Sequence, residues 1–377
     1  MSKKQQQTNN TKPVVAICYD FDKTLSPKDM QVYSVFPKLG ITDETQVKAF
    51  WDESNRIAKS NGMCMILSYM RLVLQKAEGL EDVSLKESDF VTMGKDIELF
   101  PGVEGWFDRI NNYGKELGLE IEHYIISAGL KEIIEGTPIA KHFKEIFASC
   151  YYYNNYGVPK WPRQVVNYTQ KTQYLFRINK DCLDLSDERS INEILPDEKR
   201  RVPFKNFIYI GDSDTDIPAM KLVYVNGGKS IGVYNPETTS AKVSFDLHKG
   251  KRIHFFAPAD YRADKGLDAY VKSVLSQIKA SEELARINYK QNEVIDFISN
   301  FTSLYDNMKE FVERSDDIQD ISRFEGFLIH YLKDTKSKIK KNYHGESLKP
   351  DDILKIITEK ELEIKKILEA KRLKLTN

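Results

Sequence analysis

The chain has 377 residues, enough to bury a full-sized core and to carry more than one domain. Lys plus Arg and Asp plus Glu both number 56, so the net charge of zero gives no global pull toward nucleic acid or an anionic membrane surface. Any electrostatic function has to be local.

The opening "MSKKQQQTNNTKP" has basic residues but no apolar run behind them, and no stretch approaches about 18 uninterrupted apolar residues. Neither secretion nor a membrane span is expected, and residues 1–12 read as a disordered polar lead-in. The four cysteines, Cys18, Cys64, Cys150 and Cys182, are scattered without disulfide-framework or zinc spacing, which suits a reduced, cytoplasmic setting.

From Val14 the run "VVAICYDFDKTLS" is β-branched and aromatic-rich and ends in Asp20 and Asp22. Two carboxylates that close repel each other, so something has to compensate them. Residues 27–98 are mostly helical in pattern, with "TQVKAFWDESNRIAKS" and "MCMILSYMRLVLQ", and are too long for a loop. They read as a helical cap inserted after the first strand, with Met63, Met65 and Met70 filling its core.

Next, "GVEGWFDRINNYGKELG" spaces its apolar residues three and four apart, as a helix does, and "EHYIISAG" is a second apolar strand ending near Ser127. The stretch "SCYYYNNYGVPKWPRQVV" predicts a hairpin around Asn154–Gly157, with Tyr151, Tyr152, Tyr153 and Trp161 as packing residues or, on the sharper reading, some of them lining a leaving-group pocket. "KTQYLFRINK" is helical again, and "NFIYIGD" is a further strand ending at Asp212. The three runs ending at Asp20, Ser127 and Asp212 lack clean polar alternation, which suits strands of a parallel sheet buried on both faces.

The fold class is therefore α/β, a doubly wound parallel sheet with an inserted cap. In such sheets the ligand crevice lies outside the strand carboxyl ends, where Asp20, Asp22, Ser127 and Asp212 would converge. A Mg²⁺ ion there would offset the carboxylates. His123 and His254 lie in apolar surroundings and read as structural, and no Ser/His/Asp or Cys/His signature competes.

From about Ala280 onward Gly and Pro become sparse and helices dominate. Leu284, Ile287, Val294, Ile298, Phe301, Tyr305, Met308 and Val312 form a heptad-like stripe, interrupted by Gln291. Two later amphipathic helices, residues 318–332 and 353–373 with Pro350 in a first turn, are expected to cover it; a homodimer through these helices is the alternative. The basic stretch Lys333–His344 reads as a solvated helix end, so nucleic acid is not an expected partner.

Taken in order, "DFDKT", the serine of "IISAG", the lysine opening "KTQYLF" and "GDSDTD" resemble the four motifs of the haloacid dehalogenase-like (HAD) phosphatases, in particular the phosphoserine-phosphatase-like branch with a helical cap. The resemblance spans residues 14–276 and implies a HAD-like Rossmannoid catalytic domain at 13–278, followed by a helical module at 279–377. It implies Mg²⁺-dependent hydrolysis of a phosphate monoester, with Asp20 as nucleophile and Asp22 as general acid and base. Thr24, Ser127 and the backbone of Ala128 and Gly129 would bind the phosphoryl group, and Lys171 would offset its charge.

The implied metal set is Asp20, Asp22 and Asp212, with Asp216 acting from behind it. Asp22 favours phosphate-ester chemistry, because the dehalogenases and transport ATPases of the superfamily lack a carboxylate there. Lys23 stands where many relatives have glycine. The expected partner is a phosphorylated small molecule. The alternatives are a phosphotransferase or mutase of the same superfamily, or an interaction subunit acting through the C-terminal helices.

Overall fold

The computed structural model describes residues 12–376 apart from 81, 82, 84, 197, 198, 239, 240 and 343–349. Of the lead-in expected at 1–12, residues 1–11 lie outside the described residues. Two compact units are present, Met1–Lys279 and Ala280–Asn377.

The first unit is built on seven strands: β1 (Val14–Tyr19), β2 (Glu120–Leu130), β3 (Phe143–Tyr153), β4 (Pro159–Gln164), β5 (Phe207–Gly211), β6 (Lys229–Tyr234) and β7 (Phe255–Pro258). Their order across the sheet is β4-β3-β2-β1-β5-β6-β7. All neighbours are parallel except β3 and β4. The chain winds outward from β1 through β2 and β3, then returns to the other side of β1 for β5 to β7. That reversal creates a crevice outside the carboxyl ends of β1 and β5.

The apolar character of β1 follows from burial on both faces. Val15, Ile17 and Tyr19 join one core with Trp106, Phe107 and Ile110, whereas Ala16 and Cys18 join another with Leu175, Ile178 and Met220. Each second residue faces the opposite layer, so neither set can be polar. β6, "KSIGVY", is buried in the same way, with Ser230, Ile231, Gly232 and Val233 all buried.

Among the described residues of 27–98, the insertion after β1, five α-helices occur: α1 (Met30–Tyr33), α2 (Val35–Lys38), α3 (Glu44–Asn61), α4 (Met65–Glu78) and α5 (Glu87–Met93). A reciprocal capping box between Asp43 and Gln46 starts α3, and Gly62 at φ 59° ends it. Met70 is fully buried there, while Met63 and Met65 are half-buried. The remaining layers hold α6 (Val103–Glu116), α7 (Lys131–Glu135), α8 (Lys171–Lys180), α9 (Glu188–Asn192), α10 (Ile217–Val225) and α11 (Lys242–Lys249).

The β3–β4 hairpin turns at residues 154–157, where Asn154 Oδ1 accepts the amides of Tyr156 and Val158 and Gly157 takes φ 73°. Tyr151 is buried, stacks on Phe90 and donates its hydroxyl to the Met70 carbonyl at 2.8 Å. Tyr152 and Trp161, expected to pack, are instead 57 % and 69 % exposed, facing each other across the outermost strand pair. An edge strand leaves one face of its last pair uncovered.

α12 (Gly266–Arg314) begins in the first unit, burying Leu267, Val271 and Leu275, and continues into the second, where it meets α13 (Ile318–Asn342) and α14 (Pro350–Thr376). The second unit has its own core. Phe301, Tyr305, Met308 and Val312 of α12 pack with Ile321, Leu328 and Leu332 of α13 and with Ile353, Ile357 and Ile364 of α14. This part of the stripe is covered within the chain, so a homodimer is not needed to bury it.

Leu284 is 62 % exposed and Ile287 39 % exposed, which departs from the continuous buried stripe expected from the sequence. The side chains of Gln291, Val294 and Ile298 lie outside the described residues. Within the basic stretch, Lys336 pairs with Glu361 of α14.

Candidate active site

β1 delivers Asp20 to the crevice. Its amide bonds the Ile210 carbonyl of β5 at 3.0 Å, continuing the sheet one residue beyond the strand, and its Oδ1 accepts the Phe21 amide at 2.7 Å. The turn that follows is tied by three amides, Thr24, Leu25 and Ser26, converging on the Phe21 carbonyl. Lys23 sits at φ 58° in this turn, a conformation that glycine adopts without steric cost. The side chain is held by an ion pair to Asp29 at 2.8 Å.

β5 brings Asp212 and, one 3₁₀ turn later, Asp216. Asp216 folds back beneath the strand end, where a Cβ on Gly211 would lie 2.5 Å from its Oδ2. Its Oδ1 accepts from Lys171 and from the Tyr209 hydroxyl, both at 2.7 Å. Oxygens of Asp20, Asp212 and Asp216 lie within 4.8 Å of one another. Thr24 Oγ1 reaches Asp212 Oδ1 at 3.4 Å, and the Tyr261 hydroxyl fixes the Thr24 carbonyl at 2.9 Å.

Lys171 is fully buried, with Nζ 2.8 Å from Asp20 Oδ2 and 2.7 Å from Asp216 Oδ1. The sequence of α8 explains its placement. Asn167 and Gln170 exchange side-chain-to-amide bonds at 3.0 and 3.1 Å, a capping pair that starts the helix with Lys171 on its first turn. Lys180 instead donates to the carbonyls of Ile191 and Glu193, and Lys160 lies exposed on β4. The long spacing between Lys171 and Asp212 is a looped-out segment, held where the Arg177 guanidinium donates to the carbonyls of Cys182, Asp184 and Asp187.

β2 supplies Ser127 and a bulge. Ser127 pairs with Ala148 of β3 but Leu130 pairs with Ser149, so Ala128 and Gly129 are thrown out of the ladder. Ser127 Oγ accepts the Gly129 amide at 3.1 Å, and the Ala128 carbonyl accepts the Tyr69 hydroxyl of α4 at 3.0 Å. A Cβ on Gly129 would displace the Met30 methyl and lie 3.2 Å from Asp22 Oδ2, so the bulge, the first cap helix and Asp22 approach one another closely here.

The Asp22 carboxylate is held on the side of the cap helices. Oδ1 accepts the Met30 amide at 2.8 Å, Oδ2 faces the Gly129 position, and the three-carboxylate cluster is Asp20, Asp212 and Asp216. The turn after Phe21 separates the two aspartates, leaving Asp22 on the cap side.

The electrostatics match this division. Burial, partly opposed by Lys171, raises the Asp20 carboxyl to about 6. Burial, then the neighbouring Asp29 and Asp20, pushes Asp22 well above the usual carboxylate range. Burial, Asp216 and Asp20 do the same to Asp212. Lys171 is held protonated by Asp20 and Asp216 despite its burial. One buried ammonium thus faces three clustered carboxylates, and the all-oxygen donor set fits a hard divalent cation.

Ser127, Thr24, Lys171 and the aspartates named from the sequence therefore meet at one crevice. Tyr69, Tyr209 and Tyr261, which brace it, carry no motif and went unread.

No family model matches the chain. It is 29 % identical over 292 residues to an uncharacterized protein of Borreliella burgdorferi, a match covering 70 % of this chain and 96 % of that one. Among solved structures it is similar to a HAD-family hydrolase from Salmonella enterica serovar Typhi, with 17 % identity, 65 % and 68 % of the two chains covered and a TM-score of 0.43. A substrate-bound phosphoserine phosphatase covers 67 % of this chain and 96 % of its own, at 16 % identity and a TM-score of 0.42. For a cytosolic 5'-nucleotidase IIIB bound to cytidine the corresponding values are 71 %, 87 %, 14 % and 0.42. At such scores the site residues, rather than these likenesses, have to carry a functional conclusion.

Proposed function

We propose that the chain is a HAD-like phosphatase that hydrolyses a phosphate monoester through a phosphoryl group carried on Asp20. The observation that carries this reading is the buried contact of Asp20 with Lys171 beside Asp212 and Asp216, with a second, protonation-prone carboxylate, Asp22, held apart. Asp20 Oδ attacks phosphorus and the bond to the leaving oxygen breaks. Asp22 gives that oxygen its proton, then takes a proton from the water that attacks phosphorus and returns Asp20 to its free form.

The Lys171 ammonium and the Ala128–Gly129 bulge offset the charge that grows on the phosphoryl oxygens, with Ser127 and Thr24 as hydroxyl donors. Asp20, Asp212 and Asp216 would hold Mg²⁺, which supplies further charge neutralisation at the transferring group. The separation of Asp22 from that set suits an acid that has to hold and release a proton. Four unpaired cysteines are consistent with our placing this reaction in the cytoplasm.

The test is release of phosphate from p-nitrophenyl phosphate in Mg²⁺. Asp20→Asn should remove nearly all turnover, and Asp22→Asn should lower it by about 10²- to 10⁴-fold, the usual share of a general acid. Folded Asp20→Asn protein with ordinary turnover would rule the mechanism out.

A further inference from the structure

Lys23 takes the left-handed conformation, at φ 58°, in the turn between Asp22 and Thr24. A residue with a side chain is strained there, and strain of this kind gathers at functional sites. Its ammonium pairs with Asp29 Oδ1 at 2.8 Å, the two side chains being 52 % and 30 % exposed. An ion pair so open to water adds little to stability, so stability does not account for it.

Asp29 precedes α1 in the position from which an aspartate commonly caps a helix, yet its side chain bonds no helix amide. The first amide of α1, that of Met30, goes to Asp22 Oδ1 at 2.8 Å. Asp22 and Lys23 are neighbours in the chain, as are Asp29 and Met30, so the ion pair and this hydrogen bond close a ring through all four. Met30 also reaches the bulge of β2. Its Sδ accepts the Leu130 amide at 3.1 Å, and its methyl fills the space in front of Gly129, where Asp22 Oδ2 also points. The first residue of α1 thus sets how the Asp22 carboxylate stands against Ala128 and Gly129, and the Lys23–Asp29 pair pins that residue.

We infer that Lys23 and Asp29 are positioning residues, whose ion pair fixes the start of α1 so that the Asp22 carboxylate stays on the leaving-group side of the phosphoryl position. This rests on the phosphatase reading and deepens it. Without the pair the turn is free to relax, and Asp22 loses its fixed direction. Asp20, tied to β5 through the Ile210 carbonyl, keeps its place, so proton delivery suffers more than attack on phosphorus.

The experiment compares kcat/KM for p-nitrophenyl phosphate and phenyl phosphate in Mg²⁺, two esters of the same ring. Nitrophenolate leaves without help, whereas phenolate is the stronger base and gains more from a proton. The ratio of the two therefore reports how well Asp22 delivers one. In Lys23→Gly, which suits φ 58° and leaves the turn unstrained, the nitrophenyl-to-phenyl ratio should rise by about tenfold, the kind of loss a small misplacement causes. Asp29→Asn should raise it as well, and the double substitution should add little beyond either single one. Lys23→Arg, which keeps the pair, should stay closer to the unsubstituted ratio.

Each ratio is read within one protein, so a general loss of active enzyme cancels. A ratio unchanged in Lys23→Gly or in Asp29→Asn, or effects of the two that simply multiply, would overturn the inference. So would an equal loss of both esters through KM alone, the mark of a lysine that touches the phosphoryl group itself. Asp22→Asn separates the two readings. If its ratio rises while that of Lys23→Gly does not, the phosphatase reading stands and the pair is a surface contact only; an unsubstituted protein inert toward both esters would remove both.

Discussion

Lys171 Nζ lies 2.8 Å from Asp20 Oδ2, and neither side chain is more than 9 % exposed. The same ammonium bonds Asp216 at 2.7 Å, so one cation ties together strand ends that are far apart in the chain. Removing one partner of a buried ionic network leaves the others uncompensated, at a cost of about 3–5 kcal/mol. Lys171→Met should therefore unfold at clearly lower denaturant than the unsubstituted chain and lose hydrolysis. An unchanged unfolding midpoint would mean that the contact contributes nothing.

The proposed Mg²⁺ site predicts a stability effect separate from turnover. Burial and mutual repulsion raise the Asp20 and Asp212 carboxyls, so a divalent cation bound between them relieves a native-state cost. Mg²⁺ should raise the thermal midpoint, chelator should reverse the rise, and Asp212→Asn should blunt it. A midpoint indifferent to Mg²⁺ over millimolar concentrations would count against a site there.

Much of this site was legible because strand ends announce themselves. Asp20, Ser127 and Asp212 each close an apolar run, and the reversal of winding at β1 brings those ends together. Lys171 was harder, since three lysines share its neighbourhood; the Asn167–Gln170 pairing that fixes it is a short-range signal a capping search finds. Tyr69 and Tyr261 could not be read. They reach backbone carbonyls 59 and 237 residues away, and periodicity reports only which face of an element is apolar. The exposure of Trp161 was missed for a related reason: the composition of β4 does not say that it is the sheet's edge.

His123 gives a pH dependence of known sign. Trp106 donates to the Tyr19 hydroxyl at 2.8 Å, which bonds His123 Nδ1 at 2.9 Å, while Nε2 lies 3.0 Å from Asn111 Oδ1. Indole can only donate, so the order of donors assigns the imidazole proton to Nε2 and leaves the ring neutral. Burial, with a smaller push from His142, lowers its pKa from 6.5 to about 3.

Between those two values the unfolded chain binds a proton that the native one refuses, so stability falls as pH drops through that window, by about 1.4 kcal/mol per unit. In His123→Gln that component should vanish, giving a shallower loss of stability from pH 6.5 toward acid. The raised aspartates act in the opposite sense and are common to both proteins, so they cancel in the comparison. Parallel pH profiles would contradict the assignment.

The site residues named above all belong to the first unit, and the core of the second is assembled from α13, α14 and the part of α12 beyond Lys279. We therefore expect a chain ending at Lys279 to keep Mg²⁺-dependent turnover of p-nitrophenyl phosphate within a few-fold of the full-length value. If that shorter chain is folded yet inert, the helical unit completes the site and is no accessory.

If Asp20 carries the phosphoryl group during turnover, the phosphorylated protein can be trapped. The protein is mixed with p-nitrophenyl phosphate and Mg²⁺, quenched in acid within a turnover, digested and weighed. One added phosphoryl group is expected on the peptide containing Asp20, absent in Asp20→Asn and longer-lived in Asp22→Asn, where water is no longer activated. A phosphoryl group on any other residue, or on Asp20→Asn protein, would contradict it.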